Sequence, residues 1–146
     1  AGRRRYVQDF IEQRPAEARR EIANANRLIA NILMIQADQI TDYTQKLTQL
    51  DQAVSYASNT QPLEGLAMLD SQRIQADILV RRGEILQRRN DPTARATFAQ
   101  ARCIYDNIIA WGQEYRRQPG VTMPPSWLGQ IETVAREGLA RIPQGN

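Results

Sequence analysis

Apolar side chains recur at intervals of three and four residues along most of this chain, and this spacing constrains the fold more than any other feature. On an α-helix, positions with this spacing share one face. No segment alternates strictly between polar and β-branched residues, as a half-buried strand would. The spacing is clearest in one stripe of small and large apolar residues: Ala94, Phe98, Ala101, Tyr105, Ile108, Gly112 and Tyr115. The pattern predicts an all-α protein.

Prolines and polar clusters divide the chain into a predicted bundle of about five helices. Pro15, Pro62 and Pro92 suit the first turn of a helix, where a missing N–H costs no helical hydrogen bond. The predicted helices cover residues 4–13, 16–58, 62–89, 92–117 and 126–142. Because Asn90-Asp91 gives a very short connection, the third and fourth helices are predicted to form an antiparallel hairpin.

The segment 16–58 is predicted to be one long helix, bent or shifted in phase where polar residues interrupt its apolar stripe near Gln36. The second half of this segment has the spacing of a coiled-coil seam. The stripe consists of Ile22, Ala25, Ile29 and Ile32 and then of Ile40, Tyr43, Leu47, Leu50, Val54 and Ala57.

Length and composition fit one folded domain. The chain has 146 residues, of which 42% are hydrophobic and 24% are charged. A chain of this size can bury a sufficient core without a disulfide or a metal ion. We therefore predict a single helical domain over residues 1–146.

The absence of histidine and the single cysteine exclude most catalytic and metal-binding constellations. No intrachain disulfide, histidine-based triad or common zinc site can form. Two carboxylate pairs, Glu17 with Glu21 and Asp38 with Asp42, share helix faces but lack a companion motif, and Cys103 is predicted to be a small buried residue. We predict a protein that is not an enzyme, with no catalytic residue, no metal site and no cofactor.

The charge pattern favours solvated helix faces over a nucleic-acid interface. There are 19 basic residues, 18 of them arginine, against 16 acidic ones, which gives a net charge of +3. Acidic neighbours accompany the arginine pairs, so intrahelical ion pairs neutralise the local fields. We predict no specific nucleic-acid partner, and because no apolar run reaches about 18 residues, we predict no transmembrane segment.

Four residues of the predicted hairpin resemble the tetratricopeptide repeat. Gly83 in the first helix is followed by Ala94, by an aromatic residue four positions later, Phe98, and by Ala101. The resemblance covers about residues 79–109. It implies a non-enzymatic adaptor or scaffold that binds a protein or peptide partner on the concave face of stacked helices.

A second copy of the repeat is an open question. The tetrapeptide Ile-Gln-Ala-Asp begins at Ile35 and again at Ile74. The interval between these two positions is near the period of several helical repeats. Chance recurrence in a chain rich in Gln and Ala is the alternative.

The chain is also similar to small bacterial envelope proteins in which degenerate repeats close around an apolar cavity, some of them components of periplasmic transport systems. This resemblance implies the alternative function of a carrier or sensor that binds a lipid-like apolar molecule between its helices. The chain begins Ala1-Gly2 without Met, which fits either a removed signal peptide or an expression fragment. A periplasmic or envelope location is favoured over a cytoplasmic one.

Aromatic residues supply the candidate ligand-binding positions for this alternative. Their rings would contact an apolar ligand, and a hydroxyl or an amide would hold its polar head. The candidates are Gln36, Tyr43, Phe98, Tyr105, Trp111, Tyr115 and Trp127. Core packing is the competing interpretation, and Trp111 belongs to the core if the last helix covers it.

Overall fold

The computed structural model describes residues 2–144, with side chains from residue 5 onward, so both ends of the predicted 1–146 domain lie outside the described residues. Residues 2–144 contain helices and loops but no strand. The helices are α1 (Gly2–Gln13), α2 (Pro15–Ala37), α3 (Tyr43–Ala57), α4 (Gly65–Arg88), α5 (Ala94–Arg117) and α6 (Ser126–Arg141). The prediction of an all-α bundle is confirmed, with six helices in place of about five.

The additional helix arises because the predicted long helix over 16–58 is wrong. The chain leaves the helical conformation after Ala37 and α3 begins at Tyr43. The Asp42 carboxylate accepts a hydrogen bond from the backbone N–H of Gln45 at 3.0 Å, which caps the new helix. The turn lets α2 and α3 pack against each other, whereas a continuous helix would separate their small-residue faces.

The start of α4 also differs from the prediction. Pro62 lies in a turn, where the N–H of Leu63 donates to the carbonyl oxygen of Thr60 at 3.0 Å. The helix begins at Gly65, whose φ of +57° is strained for residues with a side chain. The helix therefore starts later in the chain than the position that proline alone predicts.

The start of α5 moves from Pro92 to Ala94. The Asp91 carboxylate accepts hydrogen bonds from the backbone N–H of Thr93 at 2.8 Å and from its hydroxyl at 2.6 Å. These bonds hold residues 91–93 in a turn ahead of the helix. The predicted hairpin is otherwise present, since α4 and α5 make the most extensive helix pair of the bundle.

Helix α4 lies at the centre of the bundle and contributes to two hydrophobic cores. The C-terminal core joins it to α5 and α6 and consists of Leu69, Ala76, Val80, Phe98, Ala101, Tyr105, Ile108, Leu128, Ile131, Ala135 and Ile142. The N-terminal core joins it to α2 and α3 and consists of Ala30, Met34, Ala37, Leu50, Ala53, Ala57, Ile74, Ile78 and Ile85. Each core thus depends on a different side of the same helix.

The residues that carry the tetratricopeptide resemblance are all buried. A Cβ atom at Gly83 would lie 2.7 Å from the ring of Phe98, so glycine is what allows α5 to approach α4. The predicted stripe of α5 is buried from Ala94 to Gly112, and Tyr115 is half-buried. Close packing of this kind occurs in many helix pairs, so membership of the family stays a prediction.

The recurring tetrapeptide does not occupy equivalent places in the structure. Its first copy includes the last residue of α2, Ala37, whereas Ala76 lies in the middle of α4. The helices themselves recur at a longer interval than the tetrapeptide, since α2 begins at Pro15 and α4 begins at Gly65. A repeat with the period of the tetrapeptide therefore does not describe the helix arrangement.

Cys103 is exposed, which corrects the prediction that it is buried. The inward side of α5 is set by Ala101, Tyr105 and Ile108. A residue two positions after Ala101 is rotated by about 200° around the helix and faces solvent. The apolar stripe on either side of Cys103 thus determines its exposure.

Candidate functional site

One face of α2 exposes a row of large aliphatic side chains. The small residues of α2 point inward, among them the fully buried Ala30 and Ala37. The aliphatic residues on the other side are between 37% and 54% exposed, and we call them the α2 apolar face: Ile22, Leu28, Ile29, Ile32 and Ile35. Part of the apolar stripe seen in the sequence therefore lies on the surface and not in the core.

A groove runs between α2 and the start of α4. Its volume is about 700 Å³. Apolar and polar residues both line this α2–α4 groove: Glu17, Arg20, Glu21, Asn24, Ala25, Leu28, Leu63 and Ala67. Because Leu28 belongs both to the groove and to the α2 apolar face, the two form one continuous surface.

Helix α1 extends this surface beyond the start of α2. Tyr6, Val7 and Ile11 are exposed, and they line a hollow of about 270 Å³ together with Phe10 and Ile22. Aliphatic and aromatic groups of two helices are thus contiguous around Ile22. Patches of this kind are characteristic of interaction sites in folded proteins.

A ladder of charges along α4 fixes α2 and α5 in place. Arg27 of α2 pairs with Asp70, and Arg73 bridges Asp70 at 2.7 Å and Asp77 at 3.0 Å. Burial disfavours the charged form of Arg73, but the hydrogen bonds and charges of the two aspartates outweigh it and raise its pKa. Arg27 and Asp70 thus join α2 to α4 through an ion pair.

The hydroxyl of Tyr105 extends this ladder into the C-terminal core by donating a hydrogen bond to Asp77. Burial of the phenol, followed by the negative charge of Asp77, raises the pKa of Tyr105 well above its usual value. The same ring lies against Gly138 of α6, where a Cβ atom would collide with it. Tyr105 therefore ties α4, α5 and α6 together.

The structure places five of the seven predicted ligand-binding residues in or against the C-terminal core and the other two, Gln36 and Tyr43, outside it. Phe98 and Tyr105 are 6% and 1% exposed and belong to the C-terminal core. Gln36 is exposed near the end of α2, and Tyr43 is partly exposed at the start of α3. These four side chains do not face a common cavity.

The three remaining candidates do come together. The rings of Trp111 and Tyr115 are stacked with centroids 5.5 Å apart, and the Trp127 ring lies 6.3 Å from Trp111 at a tilt of 37°. All three are half-buried against the C-terminal core, where α6 meets α5. They act here as packing residues between two helices, and a ligand-binding role for them stays a prediction.

An ion pair between a buried carboxylate of α6 and an exposed arginine of α5 was missed in the sequence. Glu132 is 3% exposed, and both of its carboxylate oxygens lie 2.6 Å from guanidinium nitrogens of Arg116. The carboxylate sits directly over Gly112, where a side chain would displace it. The only sign of this contact in the sequence was Gly112, a glycine within an apolar helical stripe. The two charged residues themselves gave no sign, because they are 16 positions apart on different helices.

Within residues 2–144, no three His, Cys, Asp or Glu side chains are grouped so that they could hold a metal ion. None of the helices described there combines the length and hydropathy needed to cross a bilayer.

No protein-family model, curated protein or solved structure matches this chain. The case for function therefore rests on the surfaces described above.

Proposed function

We propose that this chain is a non-enzymatic helical binding module, an adaptor or scaffold of tetratricopeptide-like type, that binds an amphipathic helix of a protein or peptide partner. The partner would lie across the α2 apolar face and the α2–α4 groove. The observation that carries the proposal is the exposure of five large aliphatic residues on one face of α2 while its small residues fill the core.

Removal of the exposed aliphatic side chains from water would drive association with the partner. Each exposed aliphatic side chain stabilises a complex by about 1–2 kcal/mol when a partner removes it from water. Residues at spacings of three, four and seven positions match the anchors that an amphipathic helix presents. Leu28, Ile32 and Ile35 have this spacing on α2. They form a stripe along the axis of α2, against which the apolar face of a partner helix can pack.

The polar residues that line the α2–α4 groove, which we call the polar rim, would orient the partner. Glu17 and Glu21 stand beside Arg20 along one side of the groove, and Asn24 adds an amide. A partner with charges of both signs next to its apolar stripe would complement this rim. Rim charges of this kind set the register and the association rate more than the affinity.

A rigid platform supports the binding surface. Arg27 and Asp70 join α2 to α4, and the close contact of Gly83 with Phe98 joins α4 to α5. A surface that is already ordered loses less conformational entropy when a partner binds. This rigidity is consistent with the scaffold role that the tetratricopeptide resemblance implies.

The alternative is an envelope carrier or sensor that binds a lipid-like apolar molecule for a transport system. Its support is the groove volume of about 700 Å³, which falls in the range of small-molecule sites. The apolar groups of Leu28, Leu63 and Ala67 would contact such a ligand. The predicted aromatic positions contribute little, because none of them lines this groove.

Selection of displayed amphipathic peptides against the full chain tests the proposal. A selected peptide is labelled, and its affinity is measured by fluorescence anisotropy. Ile32→Glu is expected to weaken binding by about tenfold or more, because a charge replaces an apolar contact. Val134→Glu is the matched control, since Val134 is an exposed β-branched residue on α6, and its affinity should stay within about twofold of the parent.

Two results would count against a protein partner. One is that no amphipathic peptide is selected; the other is that both glutamate variants weaken binding equally. Native mass spectrometry of the purified chain addresses the alternative. A co-purified lipid that is lost on Leu63→Glu but kept in Val134→Glu would favour the carrier.

A further inference from the structure

A second, chemically different pocket lies at the far end of α4 from the α2–α4 groove. Its volume is about 160 Å³. Its walls come from the end of α2, the first turn of α3 and the C-terminal ends of α4 and α6. We call it the cationic pocket, and it is lined by Asp38, Tyr43, Lys46, Arg81, Glu84, Ile85, Arg88 and Arg141. Four cations and two carboxylates leave a net charge of +2.

Two of the four cations are already paired. Arg81 holds Asp38 through two hydrogen bonds of 2.8 and 2.9 Å. Arg141 donates one hydrogen bond to Glu84 at 2.8 Å. These pairs join α4 to the end of α2 and to α6, and so connect three walls of the pocket.

The other two cations have no carboxylate partner among the described residues. Lys46 makes no ion pair there. Arg88 donates a hydrogen bond to the neutral hydroxyl of Tyr43, and its guanidinium carbon lies 5.7 Å from the centre of that ring. Tyr43 therefore orients Arg88 without neutralising it.

The surroundings of Asp38 show the sign of the field in the pocket. Its pKa is lowered, first by the hydrogen bond from Arg81 and then, against the opposing effect of burial, by the charges of Arg81, Lys46 and Arg141. The positive charge of Lys46 thus reaches the same space as the paired cations. A second anion placed there would be attracted by the four cations and repelled by Asp38 and Glu84, and the net charge of +2 makes the attraction the larger effect.

We propose that the cationic pocket binds a phosphate monoester. At neutral pH such a group carries a charge of about −1.5 to −2, which matches the net charge of the pocket, whereas a monocarboxylate would leave one cation uncompensated. Its oxygens accept charge-assisted hydrogen bonds from guanidinium and ammonium groups. Lys46 and Arg88 are the assigned donors. The proposal is independent of the partner-binding function, because the two sites lie at opposite ends of α4.

Thermal unfolding of the full chain in inorganic phosphate tests the assignment. The reference is potassium chloride of equal ionic strength at pH 7.5. We expect phosphate at about ten times its dissociation constant to raise the Tm by roughly 3 °C. Lys46→Met and Arg88→Met should each abolish the shift, and Lys46→Arg should retain part of it because the charge is kept.

Arg136→Met is the matched control, since Arg136 is an exposed arginine on α6 outside the pocket, and the phosphate shift should persist in it. Without phosphate, the circular dichroism of all variants should equal that of the parent, which separates loss of binding from loss of folding. The proposal is overturned if phosphate gives no shift beyond that of chloride, or if the shift persists in both pocket variants.

The source of the phosphate is resolved by two further probes. Co-sedimentation with vesicles that contain phosphatidic acid, abolished by Lys46→Met, would assign the group to a lipid headgroup. A Tm shift with phosphoserine and no vesicle binding would assign it to a soluble phosphate monoester. Both outcomes support the pocket, and they differ in where the ligand comes from.

Discussion

The two cores of this bundle use different residues for the same purpose. In the C-terminal core, large side chains such as Phe98, Tyr105 and Leu128 fill the space between α4, α5 and α6. In the N-terminal core, four of the nine buried residues are alanine, and five large aliphatic residues of α2 are exposed to solvent. Alanine allows helices to approach closely, but it removes little apolar area from water.

This difference shows where each region uses its apolar residues. The C-terminal region buries them and gains stability within the chain. The N-terminal region keeps Ile22, Ile32 and Ile35 in contact with solvent, where a partner can cover them. We therefore expect binding and stability to depend on different regions, and the following experiments test that expectation.

The largest effect is expected from deleting the central side chain of the C-terminal core. Tyr105→Ala should lower the free energy of unfolding by about 4 kcal/mol, because it leaves a cavity and removes the hydrogen bond to Asp77. Met34→Ala in the N-terminal core should cost about 2 kcal/mol. Urea unfolding followed by circular dichroism measures both. A greater loss at Met34 would reverse the comparison.

The second-largest loss of stability is expected from a substitution that forces α4 and α5 apart. Gly83→Ala places a Cβ atom 2.7 Å from the Phe98 ring, so we expect a loss of about 2 kcal/mol from overpacking. Gly129→Ala is the control, since its Cβ atom would meet nothing within 4 Å. That change should stabilise α6 by about 0.5–1 kcal/mol. Equal effects at the two glycines would refute the tight contact.

Alkaline pH should act on the C-terminal region through Tyr105. Its pKa is raised in the folded state, so the unfolded chain releases this proton first, near pH 10. The contribution of the phenol is complete below that pH and is lost as the pH rises above it. Absorbance at 295 nm should show its ionisation only together with the loss of helical signal. Tyr105→Phe should lack that phase.

Acid should act on the N-terminal region through Asp38. Its pKa is lowered in the folded state, chiefly by the hydrogen bond from Arg81. The contribution to stability is therefore present above about pH 3.9, the unfolded value, and is lost as the pH falls through the lower folded pKa. Asp38→Asn should flatten the stability profile between pH 4 and pH 2. An unchanged slope would show that the pair contributes nothing.

The smallest effect on stability is expected at the α2 apolar face. Ile32→Ser should change the free energy of unfolding by no more than about 0.5 kcal/mol, because Ile32 is 53% exposed. The selected peptide should nevertheless bind this variant more weakly. If Ile32→Ser destabilises the chain as strongly as Met34→Ala, the face belongs to the core and not to a binding surface.

Much of the fold could be predicted because its signals are local. The period of the α5 stripe identified its buried face from Ala94 to Gly112, and the proline-rich segment before Ser126 separated the last helix. The turn after Ala37 was missed because it contains neither Gly nor Pro. The one sign of a new helix was Asp42, an N-cap residue, directly before Tyr43. The apolar periodicity of the whole segment 16–58 favoured a continuous helix and hid this sign.

The proposed binding surfaces could be predicted only in part. Ile22, Ile29 and Ile32 were visible as an apolar stripe, but a stripe does not reveal whether another helix covers it. The cationic pocket joins Lys46 to Arg88 and Arg141, which lie far apart in the chain. No spacing rule relates residues that meet only through the packing of three helices.

The sequence by itself determined the helical class, the inward face of α5 and the absence of histidine chemistry, since periodicity and composition act within a few residues. The tertiary structure decided which side of α2 faces the core. Once α3 folds back, close approach favours Ala30 and Ala37 inside and leaves Ile32 outside. Long-range packing of this kind also paired Glu132 with Arg116 and assembled the cationic pocket, because Coulomb attraction and burial depend on distance in space and not on distance along the chain.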